Sequence, residues 1–174
     1  MFRGKKNETK SKSATGTAPP AQAVFGSPLG ISLDFMEGAE IEAAHGGCQS
    51  GVITNGMCML GQGQGIRSVA SLDARPGDGF VLETVVSADL DPTNGEPLVC
   101  FTGLLFYNAE HRVVQWWTAK PAISRADGMR TLHDSVVAPD GAVSVRIGIS
   151  GPWRQSGTVS NGQIAVVRAA ARAI

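Results

Sequence analysis

The sequence predicts an all-β fold, an antiparallel β-sandwich of Greek-key or jelly-roll type with a disordered tail at its N-terminus. Three observations support this fold class. Apolar residues recur at a spacing of two, most clearly at Val143, Val145, Ile147 and Ile149. The 22 glycines and 9 prolines supply turns between short segments. No segment shows the longer apolar period of an amphipathic helix, so the strands must bury their apolar faces against one another.

The chain length and charge are those of one globular domain with a tail. At 174 residues the chain has room for one core of ordinary size. Basic and acidic residues balance at 15 each, which excludes the overall basic field of a nucleic-acid-binding protein. Residues 1–12 hold five basic residues and one acidic residue, a charge of +4, so the rest of the chain carries −4.

Residues 1–23 form the predicted tail, and residues 24–174 form the predicted sandwich domain. The tail is rich in Lys, Ser, Thr, Ala and Pro, and Phe2 is its single large side chain besides Met1, so burial cannot offset the entropy of ordering it. It is either a solvated leader or a tether that docks on a partner. No apolar stretch follows its basic residues, which predicts synthesis in the cytoplasm without a signal peptide and without membrane insertion. Action outside the cell would require release, for example as part of a particle.

The first half of the domain consists of short predicted strands between glycine-rich turns. Ile31, Leu33 and Phe35 recur at period two and indicate the first strand. Residues 45–65 carry seven glycines, which favour tight turns between short strands. The further strands predicted in this half are residues 51–54, 57–60, 67–72 and 80–88.

The second half contains a predicted hairpin and three strands. Residues 98–107 and 112–118 are apolar and β-favouring, and the four residues between them form the turn. Residues 130–137, 143–149 and 163–168 are the remaining predicted strands, and the last of them leads into an alanine-rich tail. The three cysteines, Cys48, Cys58 and Cys100, lack metal-site spacing; free thiols are predicted, with a Cys48–Cys58 bridge as the alternative.

The order of these segments resembles the jelly-roll carbohydrate-binding modules that are related to galactose-binding domains. The resemblance covers roughly residues 66–168 and an opening motif at residues 34–38. It is carried, in chain order, by DFMEG at 34–38, LDARPGD at 72–78, GLLFYNA at 103–109, VAPDGAVSVRI at 137–147, SGTV at 156–159 and IAVV at 164–167. The resemblance implies non-catalytic recognition of a polysaccharide or surface glycan. Similar sandwiches form the spikes or fibres of phage-like particles.

The same resemblance raises the question of a structural calcium ion. Members of the family usually place an aspartate in the last strand as a calcium ligand, and this chain has Gly162 and Gln163 there. The departure argues against a calcium site and leaves Glu37, in the opening motif, as the candidate oxygen ligand. No other cofactor is expected.

Candidate ligand-binding residues follow from the chemistry of sugar recognition, in which aromatic rings stack on sugar C–H faces and polar groups bind hydroxyls. Trp116 and Trp117 are adjacent, so in a strand they point to opposite faces. Arg146 lies between two core-facing residues and points outward. The predicted ligand-binding residues are Trp117, Trp153, Tyr107, Gln115, Arg154 and Arg146. Further polar candidates are Arg112, Arg130 and His133. Each ring has the alternative role of sealing an end of the sandwich.

Catalysis finds no support in the motifs. His45, His111 and His133 are far apart, without metal-hydrolase spacing, and no nucleophile elbow is present. The favoured hypothesis is therefore glycan recognition without catalysis. The alternative is a structural or assembly protein of a virion or gene-transfer particle with no sugar ligand. A small hydrolase would need a cleft that joins two carboxylates, which nothing in the sequence requires.

Overall fold

A computed structural model describes residues 30–90, 97–116, 119–152 and 162–174, and the predicted tail lies outside this part of the chain. All pairs of named strands are antiparallel, and they form two six-stranded sheets and one two-stranded sheet. The prediction of an all-β antiparallel sandwich is confirmed.

The described elements are fourteen strands and one 3-10 helix. In chain order the strands are β1 (Gly30–Asp34), β2 (Ile41–Ala43), β3 (Val52–Thr54), β4 (Met57–Leu60), β5 (Gly65–Ser68), β6 (Leu72–Asp73), β7 (Gly79–Leu90), β8 (Leu98–Val99), β9 (Phe101–Tyr107), β10 (Val113–Gln115), β11 (Ala122–Ile123), β12 (Arg130–Val137), β13 (Ser144–Ser150) and β14 (Gln163–Ala173), with the helix at Arg125–Asp127 before β12. Among the described residues, no helix has the length and apolar character needed to cross a membrane.

The first sheet has the strand order β12-β7-β14-β4-β3. β14 is its central strand. On the side away from β7, two strands pair with successive parts of β14. Ile164–Val166 pair with β4, whereas Arg168–Arg172 pair with β1. The first strand of the domain therefore lies beside the last, which places both ends of the described chain on one sheet.

The second sheet has the strand order β10-β9-β13-β5-β2. β13 is its central strand, and β5 and β6 share one edge of it, with β5 opposite Gly148–Ser150 and β6 opposite Ser144–Val145. β9 and β10 are the predicted hairpin. β8 and β11 form the separate two-stranded sheet.

The core lies between the two large sheets. Alternate residues of the central strands point inward, and Phe80 on β7 meets Phe106 on β9 edge to face, with ring centroids 5.8 Å apart. Cys58 and Cys100 are fully buried in this core, where desolvation raises the pKa of Cys58 to about 11 and that of Cys100 to about 12. All three cysteines are free, as predicted.

Several segments differ from their predicted structure. The predicted strand at 98–107 is divided at Cys100 into β8 and β9, which belong to different sheets, and β2 and β11 were not predicted. The alanine-rich end of the chain is not a tail but the second half of β14, because it pairs with β1 and β7, and Ala169 and Ala171 are buried. The predicted strand at 67–72 is interrupted, since the Ser68 hydroxyl donates to the Ala70 carbonyl at 2.7 Å and turns the chain between β5 and β6.

Candidate functional site

Four side chains from four strands meet on the outer face of the second sheet. They are Glu42 on β2, Arg67 on β5, Arg146 on β13 and Tyr107 on β9, and we call them the arginine cluster. The alternation of each strand dictates this placement. On β13, for example, Val145 and Ile147 are fully buried on the inner face, so Arg146 between them points outward, as predicted.

Hydrogen bonds hold the cluster together around one carboxylate. Glu42 Oε2 accepts from Arg67 Nε at 3.1 Å and from Nη2 at 2.7 Å, and Glu42 Oε1 accepts from Arg146 Nη1 at 3.2 Å. Arg67 Nη1 also donates to the Tyr107 hydroxyl at 3.1 Å. The Tyr107 ring centroid lies 5.9 Å from Cζ of Arg67 and 5.7 Å from Cζ of Arg146, which is cation–π distance for both.

The cluster carries a net positive charge and remains in contact with solvent. The hydrogen bond from Arg67 lowers the pKa of Glu42 below its ordinary value, and the charges of both arginines add to the effect, so the carboxylate is anionic at neutral pH. Two guanidinium groups therefore face one carboxylate. The side chains of Arg67 and Arg146 are each 27% exposed and that of Glu42 is 40% exposed. Their remaining N–H groups can reach a ligand.

Small residues border the cluster on the same face. Gly148 on β13 lies opposite both Arg67 and Gly103, so two neighbouring strands carry no side chain at this level. Leu105 lies opposite Arg146 and is fully buried. Gly103 and Gly148 are themselves buried, so this part of the face is covered.

A pair of rings joins the two edges of the same sheet. Trp116 follows the last residue of β10, and His45 lies two residues after β2. The rings meet edge to face with their centroids 5.8 Å apart. Because β10 and β2 are the opposite edges of this sheet, the contact joins residues that follow its two edge strands. The Trp116 side chain nevertheless remains exposed and can present ring surface to a ligand.

A cavity of about 350 Å³ lies where β2, β5 and β13 end, next to His45. Its lining includes Gly47, Gln64 and Ser150. The half-buried thiol of Cys48 also lines it and donates to the His45 carbonyl at 3.3 Å. The cavity extends the outer face of the second sheet beyond the ring pair.

The six predicted ligand-binding residues have three kinds of position. Tyr107 and Arg146 both belong to the arginine cluster, although Tyr107 is only 5% exposed and presents its hydroxyl rather than an open ring face. Gln115 is half-buried on β10, where the register with β9 shifts. Trp117, Trp153 and Arg154 lie outside the described residues, and their roles stay predictions.

The further polar candidates do not join the cluster. Arg130 and His133 lie on β12 in the first sheet, so the structure separates them from Arg146. Arg130 Nη1 donates to the Ala122 carbonyl at 2.9 Å and pairs with Asp127, which places it against the loop before β12. Arg112 is exposed in the hairpin turn before β10.

Sequence reasoning missed Glu42 and Arg67. β2 was not predicted, because three residues are too short for a periodic signal, and Arg67 stood at the start of a predicted strand without an assigned face. The patterns Ile41-Glu42-Ala43 and Ile66-Arg67-Ser68 each place one charged residue between less polar neighbours. That alternation is the local signal that identifies them as outward-facing residues.

The described residues do not assemble a metal site. Glu37 is exposed in the turn after β1, where its backbone N–H donates to the Asp34 carbonyl at 3.2 Å. Among these residues, no three His, Cys, Asp or Glu side chains lie close enough together to hold a metal ion. Calcium takes about six to eight oxygen ligands, and Glu37 has no carboxylate partners for such a site in the described part of the chain.

The two sheets define a β-sandwich domain. No known family model matches the sequence, and no curated protein matches it either. Among solved structures, a xylan-binding module of family CBM15 has 18% sequence identity and a TM-score of 0.51, covering 84% of this chain and 97% of that one. The chain therefore has the β-sandwich fold of carbohydrate-binding modules, and the predicted resemblance is confirmed at the level of the fold.

Two further structures have lower TM-scores. Xylanase10C from Cellvibrio japonicus, solved in complex with xylopentaose, has 17% identity and a TM-score of 0.49 over 82% of this chain and 28% of that chain. The CBM22-1 xylan-binding domain of Xyn10C from Paenibacillus barcinonensis has 11% identity and a TM-score of 0.46 over 83% of this chain and 93% of that one.

Proposed function

We propose that this protein is a non-catalytic carbohydrate-binding module that binds a polysaccharide across the outer face of its second sheet. The observation that carries the proposal is the arginine cluster, whose partly exposed guanidinium groups lie on the same sheet that Trp116 borders. Flat rings and planar donors are the two kinds of group that bind a sugar's C–H face and its hydroxyls.

The electrostatics of the face favour binding over catalysis. Glycoside hydrolysis needs a proton donor with a raised pKa, opposite a second carboxylate. The carboxylate in the cluster, Glu42, has its pKa lowered and accepts hydrogen bonds from two arginines. Such a group is suited to orienting its neighbours, not to delivering a proton.

The xylan-binding names of the similar structures make xylan the first polysaccharide to test, with mixed-linkage β-glucan and a galactan beside it. Affinity gel electrophoresis detects retardation, and calorimetry measures Kd. We expect wild-type protein to bind at least one of the three, and Trp116→Ala to weaken that binding about fivefold to tenfold, the value of a lost aromatic contact. Trp116→Phe keeps a ring and should retain most of the affinity.

A matched control lies on the opposite sheet. His133→Ala removes an exposed ring from the outer face of β12 and should leave the affinity unchanged. Alanine variants of Trp117, Trp153 and Arg154 complete the series. The proposal fails if no polysaccharide binds, or if Trp116→Ala and Arg146→Ala both bind like wild type. An oligomer in light scattering, together with absence of sugar binding, would favour the assembly protein.

A further inference from the structure

The two arginines of the cluster use their guanidinium groups differently. Arg67 binds the Glu42 carboxylate side-on, through Nε at 3.1 Å and Nη2 at 2.7 Å. Arg146 contacts the same carboxylate only through Nη1, at 3.2 Å, and that Nη1 lies 3.5 Å from the Ser68 carbonyl oxygen. Within the described residues, Nε and Nη2 of Arg146 have no hydrogen-bond partner. In Arg67 the edge formed by Nε and Nη2 binds a carboxylate. In Arg146 no described residue occupies the same edge.

The surroundings of Arg146 keep this edge in place and accessible. Its guanidinium lies over the buried Tyr107 ring, at 5.7 Å, and one of its donors is fixed by Glu42. The side chain is still 27% exposed, and its cross-strand neighbour Leu105 offers no polar group. Asp73 is the next carboxylate that the register places on this face, opposite Ser144. A preoriented fork with unused donors is adapted to a planar anion.

We propose that Arg146 binds the carboxylate of a uronic acid, so that the site selects a polysaccharide carrying acidic sugars over its neutral counterpart. The inference rests on the proposed function, because the acidic group must belong to a glycan that lies on this face. Hydroxyl groups also accept hydrogen bonds from guanidinium. A carboxylate accepts from both N–H groups at once through one rigid group, and its negative charge attracts the guanidinium. It is therefore a stronger ligand than a hydroxyl for this edge.

The test compares two forms of one polysaccharide, glucuronoxylan and the same preparation after chemical reduction of its carboxyl groups. The backbone and chain length are shared, so the ratio of the two Kd values isolates the carboxylate. We expect wild-type protein to bind the acidic form about tenfold more tightly, the lower range for a charge-assisted hydrogen bond. We expect Arg146→Lys, which keeps the charge but loses the fork, to lower the ratio to about two.

A second variant distinguishes the hydrogen bonds of the Arg146 guanidinium from a general effect of positive charge on binding. Arg168→Gln removes one positive charge from the outer face of the first sheet, where Arg168 pairs with Glu83, and should keep the wild-type ratio. Thermal unfolding of each variant verifies the fold. Equal binding of both polysaccharides by wild type, or an unchanged ratio in Arg146→Lys, refutes the inference and leaves the proposed function intact. Binding of neither form refutes the inference, and it contradicts the proposed function as well if β-glucan and galactan also fail to bind.

Discussion

Ser68 connects two strands that share one edge of β13, and its replacement by alanine should destabilise the protein measurably. β5 pairs with Gly148–Ser150 of β13 and β6 pairs with Ser144–Val145, so the strand edge between them lacks a ladder partner. The Ser68 hydroxyl fills this gap. It accepts from the Ile147 N–H at 3.1 Å and donates to the Ala70 carbonyl at 2.7 Å.

The magnitude follows from the burial of that hydroxyl. Ser68 is 1% exposed and Ile147 is fully buried, so the Ile147 N–H has no access to bulk water, whereas Ala70 is exposed. Ser68→Ala leaves the Ile147 N–H without its acceptor, at a cost of roughly 1–3 kcal/mol for an unpaired buried group, and removes the bond to Ala70 as well. We expect a loss of about 2–3 kcal/mol in the free energy of unfolding. For a chain of this size that lowers Tm by roughly 4–10 °C.

Thr84 is as buried as Ser68 but lacks its hydrogen bonds. It is also 1% exposed, and among the described atoms its hydroxyl oxygen Oγ1 has no hydrogen-bond partner. Thr84→Val keeps the shape and removes the unpaired hydroxyl, which should raise stability by about 1 kcal/mol. Urea unfolding followed by tryptophan fluorescence and by circular dichroism measures both variants. If the two variants changed stability in the same direction, or Ser68→Ala by less than about 0.5 kcal/mol, the hydrogen-bond argument would be refuted.

Two further predictions concern titrating groups. The hydrogen bond from Arg67 lowers the pKa of Glu42 below its ordinary 4.5, so the carboxylate's contribution to stability is present above that value and is lost as pH falls through the lowered pKa. Between pH 5 and about 3, wild type should therefore lose more stability than Glu42→Gln, by under about 1 kcal/mol for so exposed a pair; parallel curves would contradict this. Burial raises the pKa of Cys58 to about 11 and of Cys100 to about 12, so at pH 8 a thiol reagent should modify Cys48 in the folded protein and all three thiols in denaturant. Rapid modification of all three thiols in the folded protein would contradict this prediction.

Much of the fold was accessible from local pattern. The predicted segments 57–60 and 130–137 coincide with β4 and β12, because period-two patterns flanked by turn residues define both ends of a strand. The alanine-rich half of β14 was missed for a physical reason. Alanine has no local preference for strands, and its burial there depends on β1 and β7, which are distant in sequence.

The site was less predictable than the fold, since it depends on register between distant strands. The outward direction of Arg146 follows from its two neighbours, but its partner Glu42 is 104 residues away in sequence. Arg67 is 25 residues from Glu42 and 40 from Tyr107. Alternation gives the face of each residue and cannot give the strand order that brings them together. The arginine cluster therefore could not be predicted from the sequence.

Stability does not account for the arginine cluster. Ion pairs with 27–40% exposed side chains contribute little, because solvent screens them and the long side chains lose conformational freedom. The buried apolar residues between the sheets supply the main driving force for folding. Two arginines around one carboxylate, with a donor edge that no described residue occupies, have a defined use once an anionic partner arrives. That unused edge is the reason to expect a ligand at this face, and an acidic one.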